Sequence, residues 1–320
     1  MMKRKARLKI DTRKKSYQVS DSVFFKLKSK KKLSEIIGFS LAELRSLTDD
    51  RYYNCYEDLS SGKPRLIECP TGDLEIVHTR IASLICRIRQ PDYMHSGIPG
   101  RSHISNAQAH VGRFPVLATD LKSFFQKTKK ENIFSFFYNT MQCSSDVASL
   151  LSLLCTCSGH IPTGSRISMP LAYWANLLMF ERLAKLSELH GVSLTVFVDD
   201  LTFSGNKVTR QFRQQVEKII VQSNHIMHPD KTRLYGQDAT KVITGVAVSK
   251  DGIKVANRHH KAIYTDMEQW VAIREIKGSQ VLPLKARLVG RLLGKLNSQG
   301  QIDFSFKDKA RSVKEALKSS

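Results

Sequence analysis

Acidic residues are scarce. The 320-residue chain carries 29 Asp and Glu against 51 Lys and Arg, a formal net charge of +22. That imbalance says little about fold, but it argues for a polyanionic partner, either nucleic acid or an anionic membrane. Long apolar runs are missing as well. The longest nearly apolar stretch, ISMPLAYWANLLMF at 167–180, is too short and too polar to span a bilayer. The basic N-terminus has no apolar segment behind it, so it does not read as a secretory signal. A cytoplasmic location without a membrane partner is the expectation. Cysteine is sparse: six residues, at 55, 69, 86, 143, 155 and 157, with no pair at CxxC spacing. Zinc sites are not read from that pattern, and reduced, buried thiols are expected instead.

The cations are unevenly spread. Residues 1–32 hold thirteen Lys or Arg against two Asp. This run reads either as a solubilising tail or as an arm that grips phosphates. Its apolar residues (Leu8, Ile10, Val23, Phe24, Phe25, Leu27) form no sustained helical stripe, which weakens a membrane-surface role. Further along, apolar periodicity predicts helices over 33–47, 73–89, 131–156, 168–191 and 207–224, with a helical, basic segment from 257 onward. Ser168 and Pro170 look like a cap and an early helical proline, and Gly191 like a helix stop. Strands are predicted around a turn at 58–62, at 116–120, on both sides of 199–200, at 233–236 and at 242–248. Interleaved strands and helices give an α/β or α+β fold class.

One segment stands apart. VFVDDLTFSG (196–205) seats two aspartates between strand-like runs. Neighbouring strand residues point to opposite faces, so Asp199 and Asp200 serve one site only if the backbone turns there, as at a hairpin tip. Two partly desolvated carboxylates repel each other by several kcal/mol, order of magnitude, unless a cation sits between them. A hard divalent ion such as Mg²⁺ takes oxygen ligands and shares them with substrate phosphates. A third acid is then expected, and Asp120, ending VLATD, is the candidate. Three aspartates with two metal ions are an apparatus for in-line phosphoryl transfer.

ATDLKSFF (118–125), IPTGSRISMPLAYWANLL (161–178), VFVDDLTFSG and HPDKT (228–232) resemble, in order and spacing, the four palm motifs of a reverse transcriptase. More narrowly, NAQAH (106–110) is similar to the NAxxH motif of bacterial retron reverse transcriptases, and KVITGVAVS (241–249) to their VTG segment. The resemblance covers roughly 50–300. It implies an α+β right-hand polymerase: a basic N-terminal extension with a helix (1–49), interleaved fingers and palm (50–254) and a helical thumb (255–320). It implies that Asp120, Asp199 and Asp200 ligate two Mg²⁺ ions. Lys63 and Arg65 would meet the incoming triphosphate, Phe125 would exclude a 2′-hydroxyl, Gly164 would admit template and nucleotide, and Lys231 would sit near the phosphates. Asn106, His110, Thr244 and Gly245 would contact RNA, and the basic thumb residues Lys285, Arg287, Arg291 and Lys295 would fit a duplex backbone.

Three positions depart from the pattern. Phe197 stands for the usual Tyr of Tyr-x-Asp-Asp, Thr163 for the Gln of PQG, and Ser123 where an acid is common. The family's activity is DNA synthesis from dNTPs on a cognate structured noncoding RNA, primed from an RNA 2′-hydroxyl. Its product, msDNA, is a branched RNA–DNA hybrid that acts with an effector protein in bacterial anti-phage defence. Two rivals remain. One is another defence polymerase of the same palm type, against which NAQAH and ITG argue. The other is a non-enzymatic RNA-binding scaffold, whose mark would be a broken triad.

Overall fold

The computed structural model describes residues 8–60, 62, 64–276 and 282–318. Among the described residues, nine strands form three antiparallel sheets. β1 (Tyr53–Asp58) and β2 (Arg65–Pro70) make a projecting hairpin. The central sheet runs β4 (Ser193–Phe197), β5 (Asp200–Ser204), β3 (Val116–Asp120), β6 (Arg233–Tyr235). β7 (Lys241–Ile243), β8 (Val246–Val248) and β9 (Ile253–Val255) form the third. The fold class is α+β, as expected.

Helices α1 (Lys30–Ile37), α2 (Leu41–Ser46), α3 (Gly72–Ile85) and α4 (His103–Gln108) precede β3. Between β3 and β4 lie α5 (Phe124–Lys127), α6 (Lys130–Ser135), α7 (Ser145–Leu154), α8 (Ser168–Ala175) and α9 (Leu177–Leu189). α10 (Arg210–Gln222) follows β5, and α11 (Asn257–Ile273), α12 (Leu282–Gln299) and α13 (Ser305–Lys318) close the described chain. No helix among the described residues is long and apolar enough to cross a membrane.

Several helices expected as single units are broken. The 33–47 segment splits at Gly38, whose φ of +89° stops α1, and Ser40 restarts the chain with a capping box to Glu43. The 168–191 helix divides at Asn176, whose amide is drawn inward by Thr128 and His225. Ser168 is not a cap: it is the first helical residue and its hydroxyl donates to the Pro162 carbonyl. Gly191, with φ +59°, does end α9.

One large apolar core, reaching from Phe24 to Met227, underlies the central sheet. α10 shows how it is built. Thr209 caps its N-terminus by accepting from Phe212 N (3.2 Å), and Phe212, Val216 and Ile220, four apart, form the buried stripe. Phe212 meets Phe203 of β5 edge to face, at 5.6 Å between ring centres. Burying each such side chain contributes about 1.5–3 kcal/mol, so the sheet that carries the acids rests on a stiff platform. A second cluster (Trp270, Leu292, Leu296, Phe306, Val313) holds α11, α12 and α13 together. A third joins Ala107 and Val116 to Ile243, Val246 and Val248.

The basic row on α12 is only partly available to a polyanion. Arg291 and Lys295 both lie 2.8 Å from the carboxylate of Asp266, which is buried on α11, and Lys285 donates to the Arg274 carbonyl. Arg287 is exposed. Two of the four cations expected to face phosphates therefore neutralise a buried acid of their own chain.

Candidate active site

The paired strands bring the three aspartates together. In the β3–β5 register Asp120 stands directly opposite Asp200, so their side chains share one face of the sheet. β4 and β5 form a hairpin closed by Val198 and Asp199. The turn therefore falls at the acids, as the alternation argument requires. Val198 is held at φ +60°, a costly conformation for a β-branched residue. Two bonds keep it there: Val198 N–H donates to Ser96 Oγ (3.0 Å), and Leu121 N–H donates to the Asp199 carbonyl (2.9 Å). Ser96 was not legible as a site residue, because the chain gives no sign that the loop 91–101 reaches the hairpin.

Electrostatically the site is short of cations. Burial raises the Asp199 carboxyl, and the Asp120 charge raises it further, while Lys231 and Arg65 pull it back. Burial, then the charges of Asp199 and Asp120, push Asp200 up to about 7. Lys231, in the turn after β5 and α10, has its Nζ 2.5 Å from Asp120 Oδ2. Burial alone would lower its pKa, but the Asp120 bond and the three carboxylates outweigh that and raise it. Its side chain is still 57% exposed.

Among the described residues no three His, Cys, Asp or Glu side chains enclose an ion position; the Lys231 ammonium is the cation beside Asp120. The donor chemistry nonetheless fits a hard divalent ion, since every donor is a carboxylate oxygen and two of the groups are destabilised as anions without one.

The other expected residues divide. Arg65 is exposed at the start of β2, close enough for its charge to act on Asp199. Lys63 lies outside the described residues. Phe125 sits on α5, five residues beyond Asp120, with its ring 5.8 Å from that of Phe124 and half-buried. Ser123, at φ +55°, turns the chain into that helix.

Gly164 permits a close approach, but to the protein itself. Its N–H donates to the Glu68 carbonyl (3.1 Å), and a Cβ would lie 2.6 Å from Cys69 Sγ and 2.9 Å from Glu68 O. Thr163 completes this seam: its hydroxyl donates to Leu66 O (2.7 Å) and accepts from Glu68 N (3.2 Å). Glu68, buried, accepts from Thr163 N (3.2 Å) and lies 3.1 Å from His160 Nε2, although that pair is not aligned for a hydrogen bond. The loop 160–164 is thus stitched to the strand that carries Arg65. Gly164→Ala is expected to cost about 1–3 kcal/mol by overpacking this seam, read as a lower urea midpoint; an unchanged midpoint would mean the seam yields freely.

Asn106 and His110 face inward. Both are fully buried. His110 bridges Ser204 Oγ (2.6 Å, through Nδ1) and Thr195 Oγ1 (2.7 Å, through Nε2). Asn106 Nδ2 reaches Thr244 Oγ1 at 3.5 Å, and that hydroxyl donates to the His103 carbonyl (2.8 Å). Thr244 and Gly245, at φ +45° and +84°, are the two-residue turn of the β7–β8 hairpin, which requires left-handed backbone at both positions. A Cβ on Gly245 would meet Arg258 Nη2 at 2.8 Å, and the Gly245 carbonyl lies 3.2 Å from His259 Nε2. The two short motifs, far apart in sequence, clasp each other and seat the start of α11.

No family model matches the chain. Among curated proteins, the retron Mx65 reverse transcriptase of Myxococcus xanthus is 30% identical over 210 residues, covering 59% of this chain and 49% of that protein. The retron Se72 reverse transcriptase of Salmonella heidelberg is 31% identical over 163 residues, covering 49% and 42%. The retron Ec86 reverse transcriptase of Escherichia coli is 24% identical over 239 residues, covering 72% and 74%. The chain thus spans about half the length of the first two relatives. Among solved structures, a foamy viral protease–reverse transcriptase in complex with double-stranded DNA aligns over 84% of this chain and 39% of that one, with a TM-score of 0.44 and 15% identity.

Proposed function

We propose, from this likeness to retron reverse transcriptases, that the chain adds deoxynucleotides to a primer on an RNA template. The observation that carries the reading is the register of Asp120 against Asp200, with Asp199 on the pinned tip beside them. Such a cluster of destabilised carboxylates is costly to a fold that does not use it. Two Mg²⁺ ions held by Asp120, Asp199 and Asp200 would activate the attacking hydroxyl and neutralise the leaving pyrophosphate. Arg65, with Lys63, offers charge to the triphosphate, and the exposed Lys231 side chain can move from Asp120 toward the same phosphates.

Phe125, five residues beyond Asp120 in the motif, would crowd the sugar of the incoming nucleotide. Phe125→Ala is expected to relax discrimination against ribonucleotides by about 10²-fold, measured as the ratio of kcat/KM for dNTP and NTP. An unchanged ratio would remove Phe125 from the nucleotide site.

The finer reading is that of the retron type: a bacterial, cytoplasmic enzyme with a structured noncoding RNA as template, priming from an RNA 2′-hydroxyl, and a branched RNA–DNA product that serves anti-phage defence with an effector protein. Residues 1–49 would be the extension, 50–254 fingers and palm, and 255–320 the thumb. The test is labelled dNTP incorporation by protein purified with its co-expressed RNA in Mg²⁺, with Asp120→Asn as control. Incorporation that falls about 10³-fold or more in the control, into DNA joined to RNA through a ribonuclease-resistant branch, is the expected result. DNA free of RNA would indicate another palm polymerase. Tight RNA binding with no synthesis would indicate a scaffold and overturn the proposal.

A further inference from the structure

A cavity of about 690 Å³ lies beyond the edge strand β4, where residues 93–95 cover that strand through bonds of 2.8 Å to both backbone groups of Val196. Its floor is apolar, with Ile88, Met94, Met169 and Tyr173. Its rim is cationic: Lys14, Lys15, Arg89 and Arg101 against the single carboxylate of Asp92. Arg101 is already committed, with Nη2 3.0 Å from Asp92 Oδ1 and Nη1 2.7 Å from the Met94 carbonyl. Lys14, Lys15 and Arg89 are exposed and carry no ion pair among the described residues. Three unneutralised cations therefore ring an apolar hollow.

The walls are preformed. On one side Gly97, at φ +69°, packs so closely on Met169 that a Cβ would lie 2.7 Å from its Cε. On the other, residues 10–16 run as a strap tied at both ends. Asp11 N–H donates to Ser83 Oγ (2.9 Å), and Tyr17 exchanges backbone bonds with Arg87 and Arg89 (3.0 and 2.8 Å). Between these ties Arg13 and Lys14 hold left-handed backbone, at φ +51° and +55°, which sets Lys14 and Lys15 at the mouth. This part of the basic N-terminal run is a wall of the cavity rather than a tail. Ser96, which also lines it, is the residue that pins Val198 at the tip of the acidic hairpin.

We propose that this cavity holds one unstacked nucleotide of a bound single-stranded RNA segment, with the base on the apolar floor and the flanking phosphates on Lys14, Lys15 and Arg89. The volume suits a nucleotide-sized ligand. Unpaired RNA is the polyanion that offers splayed bases, and stacking on an apolar floor tolerates any base. The inference takes from the proposed function only that the chain meets RNA. Its test reads binding alone, so it stands or falls apart from synthesis.

The probe is a short fluorescein-labelled oligouridylate, followed by anisotropy across a salt series, with UMP as competitor. Ser16→Trp fills the mouth at an exposed position without changing charge. It is expected to weaken binding about tenfold while leaving the salt slope unchanged. Lys14→Glu with Lys15→Glu is expected to make that slope shallower by roughly 1.4, about 0.7 for each lost phosphate contact. UMP at millimolar concentration should not displace the oligomer. A 4-thiouridine oligomer should photo-cross-link to the 86–101 peptide of the unmodified protein, a readout that needs no variant. Unchanged affinity in Ser16→Trp, even with weakened charge variants, would overturn the proposal in favour of non-specific attraction. Displacement by UMP would overturn it in favour of a free-nucleotide site.

Discussion

Asp200→Asn should nearly abolish nucleotide addition and, in the absence of divalent metal, make the protein more stable. The first effect is about 10³-fold or more, since on the proposed function Asp200 would help hold the divalent ion that neutralises developing charge. The second follows from the sign of the pKa shift. Burial, then Asp199 and Asp120, raise Asp200 to about 7 from an ordinary 3.8. A carboxyl raised on folding binds its proton more tightly in the native state, so stability is lost as pH rises from about 4 to about 7. Asparagine has no charge to suppress, and at pH 7.5 the gain should be on the order of 1–3 kcal/mol. Urea midpoints with and without Mg²⁺ read both halves. The parent should gain more from the ion than the variant does. A variant less stable than the parent without metal, or equally stabilised by Mg²⁺, would mean that the acids are not strained against each other as the geometry requires.

Acidification from pH 7 to pH 5 should destabilise the protein. Three of the buried histidines have pKa values held well below the ordinary imidazole value. Burial lowers His78 to about 4, His110 to about 3 and His225 to about 4, the last two helped by the charges of His95 and Lys127 respectively. Each is enclosed by short polar contacts: His78 with Ser165 Oγ and Leu154 O, His110 with Ser204 and Thr195, His225 with Asn176 Oδ1 (2.7 Å). A histidine depressed on folding takes up its proton first in the unfolded chain. Its contribution is whole above about pH 6.5 and declines as pH falls toward the folded value, by about 1.4 kcal/mol per pH unit for each. Asp200 and Asp199, raised by burial first, act in the opposite direction over the same window and cancel part of this. The remainder predicts a loss of about 2–4 kcal/mol between pH 7 and pH 5. Urea midpoints at those two pH values measure it. A midpoint that holds or rises at pH 5 would show that the buried imidazoles find a proton acceptor when charged.

The acidic hairpin was legible because its grammar is local. Paired aspartates between strand-forming runs, a third acid at the end of another strand, and an alternation that demands a turn give the three strands and the hairpin tip, while their pairing comes from the structure. The Thr244–Gly245 turn was not legible: 242–248 reads as one strand, and the structure breaks it into β7 and β8 by holding Thr244, a β-branched residue, at φ +45°. Helix limits were less legible. α1 and α2 part at one glycine, and α8 and α9 part at one asparagine whose reason to break, His225, lies 49 residues away.

The sequence by itself supplied Asp199 and Asp200 with Asp120 as the candidate third acid, an excess of cations and a mixed fold class. The tertiary structure decided what each polar group faces. Spacing suggested one helical face for Asn106 and His110, but α4 ends at Gln108, and packing turns Asn106 to Thr244 and His110 to Ser204 and Thr195. Thr163 is turned to β2, Arg291 and Lys295 to a buried Asp266, and Ser96 to the strained tip at Val198. The physical reason is common to all of them. A backbone turn is fixed by a few consecutive dihedral preferences, whereas the worth of a polar side chain depends on its solvation, and that is set by residues distant in the chain.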